Sequence, residues 1–196
     1  MRLDLTMIQP WITPGTRVLD LGCGDGTLLK TLAEQRQVSG IGLEIDEDYI
    51  TQALTKGVNV IQHDLNEGLG NFLDDSFDMV VMTLALQTLR YPHKVIDEML
   101  RVGRECIVTF PNFGYWQSRW HLNFRGRMPV SKFLPFTWYD TPNIHFCTVR
   151  DFEALCEEKD IRILNSAVIG GDNRQSALAD RFPNLLGVTA VYHISK

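Results

Sequence analysis

A glycine-rich turn between a strand and a helix, answered one strand later by a carboxylate, confines this chain to the nucleotide-binding α/β folds. The strand is Thr16 to Leu21, and the turn reads Asp20-Leu21-Gly22-Cys23-Gly24-Asp25-Gly26. From Asp25 to Gln37 helical spacing follows through Leu28, Leu29, Leu32 and Ala33. Glycines at such a strand end let the backbone turn tightly and approach a ligand without a Cβ clash. Glu44 closes the next strand, Ser39 to Glu44, where a carboxylate can accept hydrogen bonds from both hydroxyls of a ribose. Left without a ligand, Glu44 reads as a surface carboxylate.

The rest of the chain extends the alternation. Arg2 to Trp11 reads as a short amphipathic helix ended near Pro10. Asp46 to Lys56 predicts a second crossover helix stopped by Gly57, and Val58 to Gln62 a third strand. Met79 to Leu84 is almost wholly apolar, as suits a central parallel strand covered on both faces. Pro92 opens a helix to about Arg101, and Glu105 to Phe110 is a fifth strand. Thr148 with Asp151 forms an acidic capping box for a helix to about Lys159, and Ile161 to Ile169 and Leu185 to Ile194 are two further strands. The polar connection between those two is too short for a long crossover helix, so the last pair is expected antiparallel. The sum is a doubly wound, mostly parallel seven-stranded α/β sheet of Rossmann-like type, in one domain over residues 1–196.

The glycine spacing bears on which nucleoside fits. A dinucleotide site expects G-x-G-x-x-G, whereas here the third glycine comes one residue early and Thr27 takes its place. Asp20 stands just ahead of the glycines; it repels a pyrophosphate and attracts the cationic amino group of a methionine moiety. S-adenosylmethionine (SAM), or its product S-adenosylhomocysteine, is therefore favoured over NAD.

Composition excludes other classes. With 44% hydrophobic and 22% charged residues the chain is neither disordered nor fibrous. A net charge of -5 argues against nucleic acid as a partner. No run approaches the about 20 apolar residues of a membrane span. Cys23, Cys106, Cys147 and Cys156 show no C-x-x-C spacing and no zinc pattern with the histidines, so no metal site is expected, and reduced thiols fit a cytoplasmic protein.

Between Pro111 and Cys147 no regular period holds, and about 111–147 reads as an aromatic-rich insertion after the fifth strand. It carries three of the four tryptophans (Trp116, Trp120, Trp138), half of the eight prolines, and Arg119, Arg125, Arg127 and Lys132 against one acid, Asp140. Three readings stand: a protein interface, since Trp, Tyr and Arg dominate hot spots; a lid over an anionic substrate; or a flap with its tryptophans turned into the core. No general base is evident after the fourth strand, where Met82-Thr83-Leu84-Ala85-Leu86-Gln87 is mostly apolar. Asp140 and His145 are the weak catalytic candidates, although a turn capped by Asp140 explains the same residues.

Val18 to Gly26 (VLDLGCGDG) resembles motif I of the class I SAM-dependent methyltransferases. That resemblance implies that Asp20, Gly22 and Gly24 line the methionine end of a SAM site, with Cys23 and Gly26 of the same turn also cofactor-binding. It further implies Glu44 at the ribose, Ile45 on the adenine, Asp64 at its amino group, Thr83 with Leu84 toward the sulfonium, and Leu65 among the cofactor-binding residues. Read alone, Ile45 suits a core position at a helix entry, and Asp64 suits a turn with Asn66 and Gly68. The Asn/Asp-Pro-Pro-Tyr/Phe motif of amino-methyltransferases is absent after the fourth strand. Phe110 to Gly114 (FPNFG), Arg125 to Val130 (RGRMPV) and Trp138 to His145 (WYDTPNIH) resemble the methionine biosynthesis protein MetW family over almost the whole chain. This resemblance implies a SAM-binding protein that supports or regulates a homoserine O-acyltransferase, docked through the 111–147 segment. The alternative is an active methyltransferase on a small anionic or hydroxyl-bearing metabolite.

Overall fold

The computed structural model describes residues 2–131, 134–171 and 177–196. Seven strands form one sheet in the order β3-β2-β1-β4-β5-β7-β6: β1 Arg17–Leu21, β2 Ser39–Glu44, β3 Val60–Gln62, β4 Phe77–Thr83, β5 Gly103–Pro111, β6 Arg162–Gly170 and β7 Gly187–Ser195. The first five pair in parallel, whereas β7 lies antiparallel to both β5 and β6. Strand order reverses between β1 and β4, which leaves a crevice beyond the carboxyl ends of those strands.

Side chains alternate across the sheet as a period of two requires. Leu19, Leu21, Val80 and Met82 pack on one side with α4 (Pro92–Val102) and α6 (Val149–Glu158). Val18, Met79, Val81 and Ile107 face the other way, against α1 (Leu3–Ile8) and α2 (Thr27–Arg36), with Ala53 of α3 (Glu47–Thr55). The apolar reading of β4 follows, because both of its faces are covered.

Boundaries moved where local chemistry outweighs periodicity. α2 begins at Thr27, not Asp25, because Gly26 sits in the left-handed region (φ 73°) and the Asp25 carboxylate accepts from the Thr27 amide at 3.1 Å. A Cβ on Gly26 would lie 3.0 Å from Val58 Cγ2 and 3.1 Å from the Ala53 Cβ. Gly26→Ala is therefore expected to cost about 2 kcal/mol or more, from left-handed strain and overpacking, measured by urea unfolding. Leu185 and Leu186, expected in the last strand, instead end α8 (Pro183–Leu186), a single turn entered through Pro183 and preceded by α7 (Ala177–Arg181). The capping box at Thr148 is present, with the Thr148 amide donating to Asp151 at 3.0 Å and the Asp151 amide to Thr148 Oγ1 at 3.2 Å.

The segment between β5 and α6 departs from expectation in its regularity, and the structure chooses among the three readings of its aromatics. It contains a helix, α5 (Trp116–Arg125), which Gly126 ends in the left-handed region. Its aromatic residues Trp116, Trp120 and Phe124 recur every fourth position, but they form a stripe on the outside: 44%, 49% and 68% exposed. Trp138 and Tyr139 are more exposed still, at 74% and 73%, which sets aside the inward-turned flap. The basic residues do not act as one group. Arg119 donates to the backbone carbonyls of Gly114 and Asn184, whereas Arg125 and Arg127 are exposed beside His121. Lys132 lies outside the described residues.

Candidate functional site

The crevice at the strand-order reversal is a cavity of about 980 Å³. Every cofactor-site residue expected from the sequence lines it except Gly26, which turns beneath it onto Val58 and Ala53. β1 delivers Asp20, and the following loop presents Gly22 and Gly24, both at positive φ. The Gly22 and Cys23 amides donate to the Leu43 carbonyl at 2.8 and 3.0 Å, which curls the loop back over β2. Cys23 packs against Gly42, where a Cβ would collide with its Sγ. Burial, with the nearby carboxylates of Asp20 and Glu44, pushes the Cys23 thiol up to about 12, so it stays protonated.

Asp20 is the electrostatic anomaly of the cavity. It is 1% exposed, and its Oδ1 has no hydrogen-bond partner. Burial raises its carboxyl from 3.8 to about 7; the Arg2 guanidinium pulls the other way, and the Glu44 charge adds to the rise. A buried acid without a partner costs free energy that a cation arriving in the cavity can recover.

Glu44, also buried, answers three backbone amides. Gly24 donates to Oε2 at 2.8 Å, and Ile45 and Asp46 donate to Oε1 at 2.8 and 3.0 Å. An ionised carboxylate has about four acceptor positions, so about one is left for a ligand hydroxyl. Sequence reasoning saw only a ligand contact; the same carboxylate latches the glycine loop to β2. Glu44→Gln is expected to cost about 1–3 kcal/mol in the ligand-free protein, because an amide NH₂ cannot satisfy the donors that both oxygens now accept. Urea denaturation of the two proteins measures it.

Ile45 is 57% exposed at the cavity wall, which excludes the core reading. Asp64 does what a turn residue does: its Oδ1 accepts from the Asn66 amide at 2.9 Å and the Asn66 side chain at 2.8 Å, and the first bond holds its pKa below the usual carboxylate range. It also lines the cavity with Leu65, so turn and wall coincide. After Thr83 the backbone turns at Leu84, a non-glycine residue with φ 56°. The Leu84 amide donates to Thr109 O at 2.9 Å and to Thr109 Oγ1 at 3.1 Å, and its carbonyl accepts from Gln87 Nε2 at 2.7 Å.

Asp140 and His145 do not reach the cavity. Asp140 is exposed and accepts from Thr137 Oγ1 at 2.7 Å; His145 Nε2 lies 3.3 Å from the Arg90 carbonyl. Of that stretch only Pro142 enters the wall. Sequence reasoning missed Arg2, Leu5, Tyr49, His63 and Thr88, which also line it. Tyr49 carried a signal, one helical turn beyond Ile45. Arg2 carried none, since nothing local tells that the first helix lies at the mouth of a site built from β1, β2 and β4.

A doubly wound sheet in this order, ending in a reversed strand and holding its cavity at the first strand's glycine turn, defines the class I methyltransferase fold. A SAM-dependent methyltransferase from Mesorhizobium loti superposes with a TM-score of 0.70 at 17% identity, covering 97% of this chain and 96% of that one. A possible histamine N-methyltransferase from Thermotoga maritima gives 0.67 at 17%, covering 99% and 88%. The chain itself belongs to the MetW family: the model for methionine biosynthesis protein MetW matches residues 2–194. It is also 36% identical over 200 residues to the bifunctional methionine biosynthesis protein MetXA/MetW of Rhodopirellula baltica, covering 97% of this chain. It spans only about a third (32%) of that relative's length.

Proposed function

We propose that this chain binds SAM or S-adenosylhomocysteine in the large cavity and acts in methionine biosynthesis as a supporting or regulatory partner of a homoserine O-acyltransferase. The joining of MetXA and MetW in one polypeptide of Rhodopirellula baltica carries the partnership, with the MetXA part read as the acyltransferase. Parts that work together tolerate fusion, which holds each at high effective concentration for the other. The exposed aromatic stripe of α5 and the Trp138-Tyr139 pair support docking through that segment.

The cavity's residues fit the nucleoside. Asp20, buried and lacking a partner on Oδ1, suits the ammonium of the methionine moiety. The position left on Glu44 suits a ribose hydroxyl, exposed Ile45 the adenine, Asp64 its amino group, and Thr83 and Leu84 the sulfonium side, with buried Leu65 in the wall. Bound SAM supplies an electrophilic methyl group. Because SAM is made from methionine, a SAM-binding partner reports product level to the pathway, provided SAM binds the free chain and the complex with different affinity.

Calorimetric titration with SAM, alone and with the acyltransferase while acylation is followed, tests this reading. Binding that differs between chain and complex and alters acylation, without consumption of SAM, is the expected result. Unchanged acylation with SAM turned over on added metabolites overturns it in favour of a methyltransferase acting on a small anionic or hydroxyl-bearing molecule. A second chamber beside the first favours that alternative.

A further inference from the structure

Next to the large cavity lies a chamber of about 540 Å³. The two share Arg2, Leu84, Thr88 and Pro142 as a common wall. Its polar groups come from distant parts of the chain and carry both signs of charge. Asp4, 4% exposed, is held in a two-pronged ion pair: Arg2 Nε donates to Oδ1 at 3.1 Å, and the terminal Nη2 donates to Oδ2 at 2.7 Å. A guanidinium has five N–H donors, so this pairing leaves others on the half-exposed Arg2 side chain for a second carboxylate.

Gln87 supplies the complementary need. It is 6% exposed, and its Nε2 donates to the Leu84 carbonyl, which fixes the amide orientation and leaves Oε1 as the acceptor. That oxygen is buried without a hydrogen-bond partner. The Gln87 backbone carbonyl meanwhile accepts from the Ile144 and His145 amides, so the residue is clamped from two sides. The Asp4 carboxylate, which also accepts from Thr109 Oγ1 at 3.5 Å, is answered by Arg2 and keeps about one acceptor position. The unanswered Gln87 oxygen is therefore what favours a ligand bringing an N–H donor, and the remaining position on Asp4 suits that donor being cationic. Leu84, Pro111, Phe136 and Ile169 complete the wall with apolar surface.

We propose that this chamber binds a free α-amino acid with an unbranched aliphatic side chain: ammonium toward Asp4 and Gln87, carboxylate toward Arg2, side chain along the apolar wall. The proposal goes beyond the nucleoside reading and does not depend on it, because every group named belongs to the second chamber. Arg2 and Leu84 face both spaces, so a ligand in one adjoins a ligand in the other.

Titrating the full chain with L-norleucine, n-hexanoate and n-pentylamine, each with and without S-adenosylhomocysteine, tests it. L-norleucine is expected to bind at least about tenfold more tightly than either analogue, each of which lacks one charged end. Gln87→Met is expected to weaken L-norleucine about tenfold while leaving S-adenosylhomocysteine affinity within about twofold, which also shows that the variant is folded. Arg2→Met is expected to bring L-norleucine down to the affinity of n-pentylamine. No binding of L-norleucine at about 10 mM, or an analogue binding as tightly, overturns the proposal. S-adenosylhomocysteine failing to bind while L-norleucine binds overturns only the nucleoside reading.

Discussion

Asp20→Asn is expected to make the ligand-free protein more stable at pH 8 and to weaken SAM by roughly a hundredfold, the scale of losing one partner of a buried charge pair. The two effects share one cause. In the unfolded chain the Asp20 carboxyl titrates near 3.8; burial raises it to about 7 in the fold. Below pH 3.8 it is protonated in both states, so Asp and Asn proteins should match in stability. As pH rises from there the unfolded chain releases its proton first, and the folded state pays a growing penalty that is complete above about pH 7. A shift of that size corresponds to at most about 4 kcal/mol, and local relaxation brings the expected gain for Asn to about 1–3 kcal/mol. For a chain of this length that is roughly 3–10 °C in unfolding midpoint, readable by calorimetry at pH 8 and absent at pH 3.5 if the fold survives there. SAM affinity of the natural protein should climb through pH 7, because only the ionised carboxylate pairs with an ammonium. A pH-independent affinity would remove Asp20 from the ligand's charge.

The second large effect concerns the outer surface. Trp120→Ala and Trp138→Ala are each expected to weaken association with the homoserine O-acyltransferase by about 2 kcal/mol or more, roughly thirtyfold, as truncated interface tryptophans do. Both side chains are exposed in the isolated chain, so its own unfolding free energy should change by less than about 0.5 kcal/mol. Titration of the complex by calorimetry or surface capture gives the first number and urea unfolding the second. The contrast is diagnostic. A tryptophan that served the core would lower stability first, and association only through it.

How far the sequence disclosed all this depended on whether a signal was local. The glycine turn, the strand ending in Glu44, the covered β4 and the capping box at Thr148 are each decided within a few residues, and each stands where the pattern puts it. The cavity wall was legible where it lies on those elements. It was not legible at Arg2 or Thr88, because only the tertiary fold carries them to the same crevice. α5 escaped for another reason. Its apolar stripe Trp116-Trp120-Phe124 has helical spacing, but it is interleaved with Gln117, Ser118, Arg119, His121 and Asn123, and it faces outward. A search for faces that a core would bury passes over a face that lies outside the core.

The placement of β7 has a consequence for how the molecule is made. The seventh strand in chain order, Gly187–Ser195, lies inside the sheet between β5 and β6, and among the described residues it is the strand to which β6 pairs. Until it is synthesised, β5 presents a bare, apolar edge and β6 has no ladder to join. A nascent chain can pair β1 to β5 in parallel while β5 and β6 wait, exposed to mispairing, for the nine residues of β7. Loss of β7 would therefore remove two strands from the sheet rather than one.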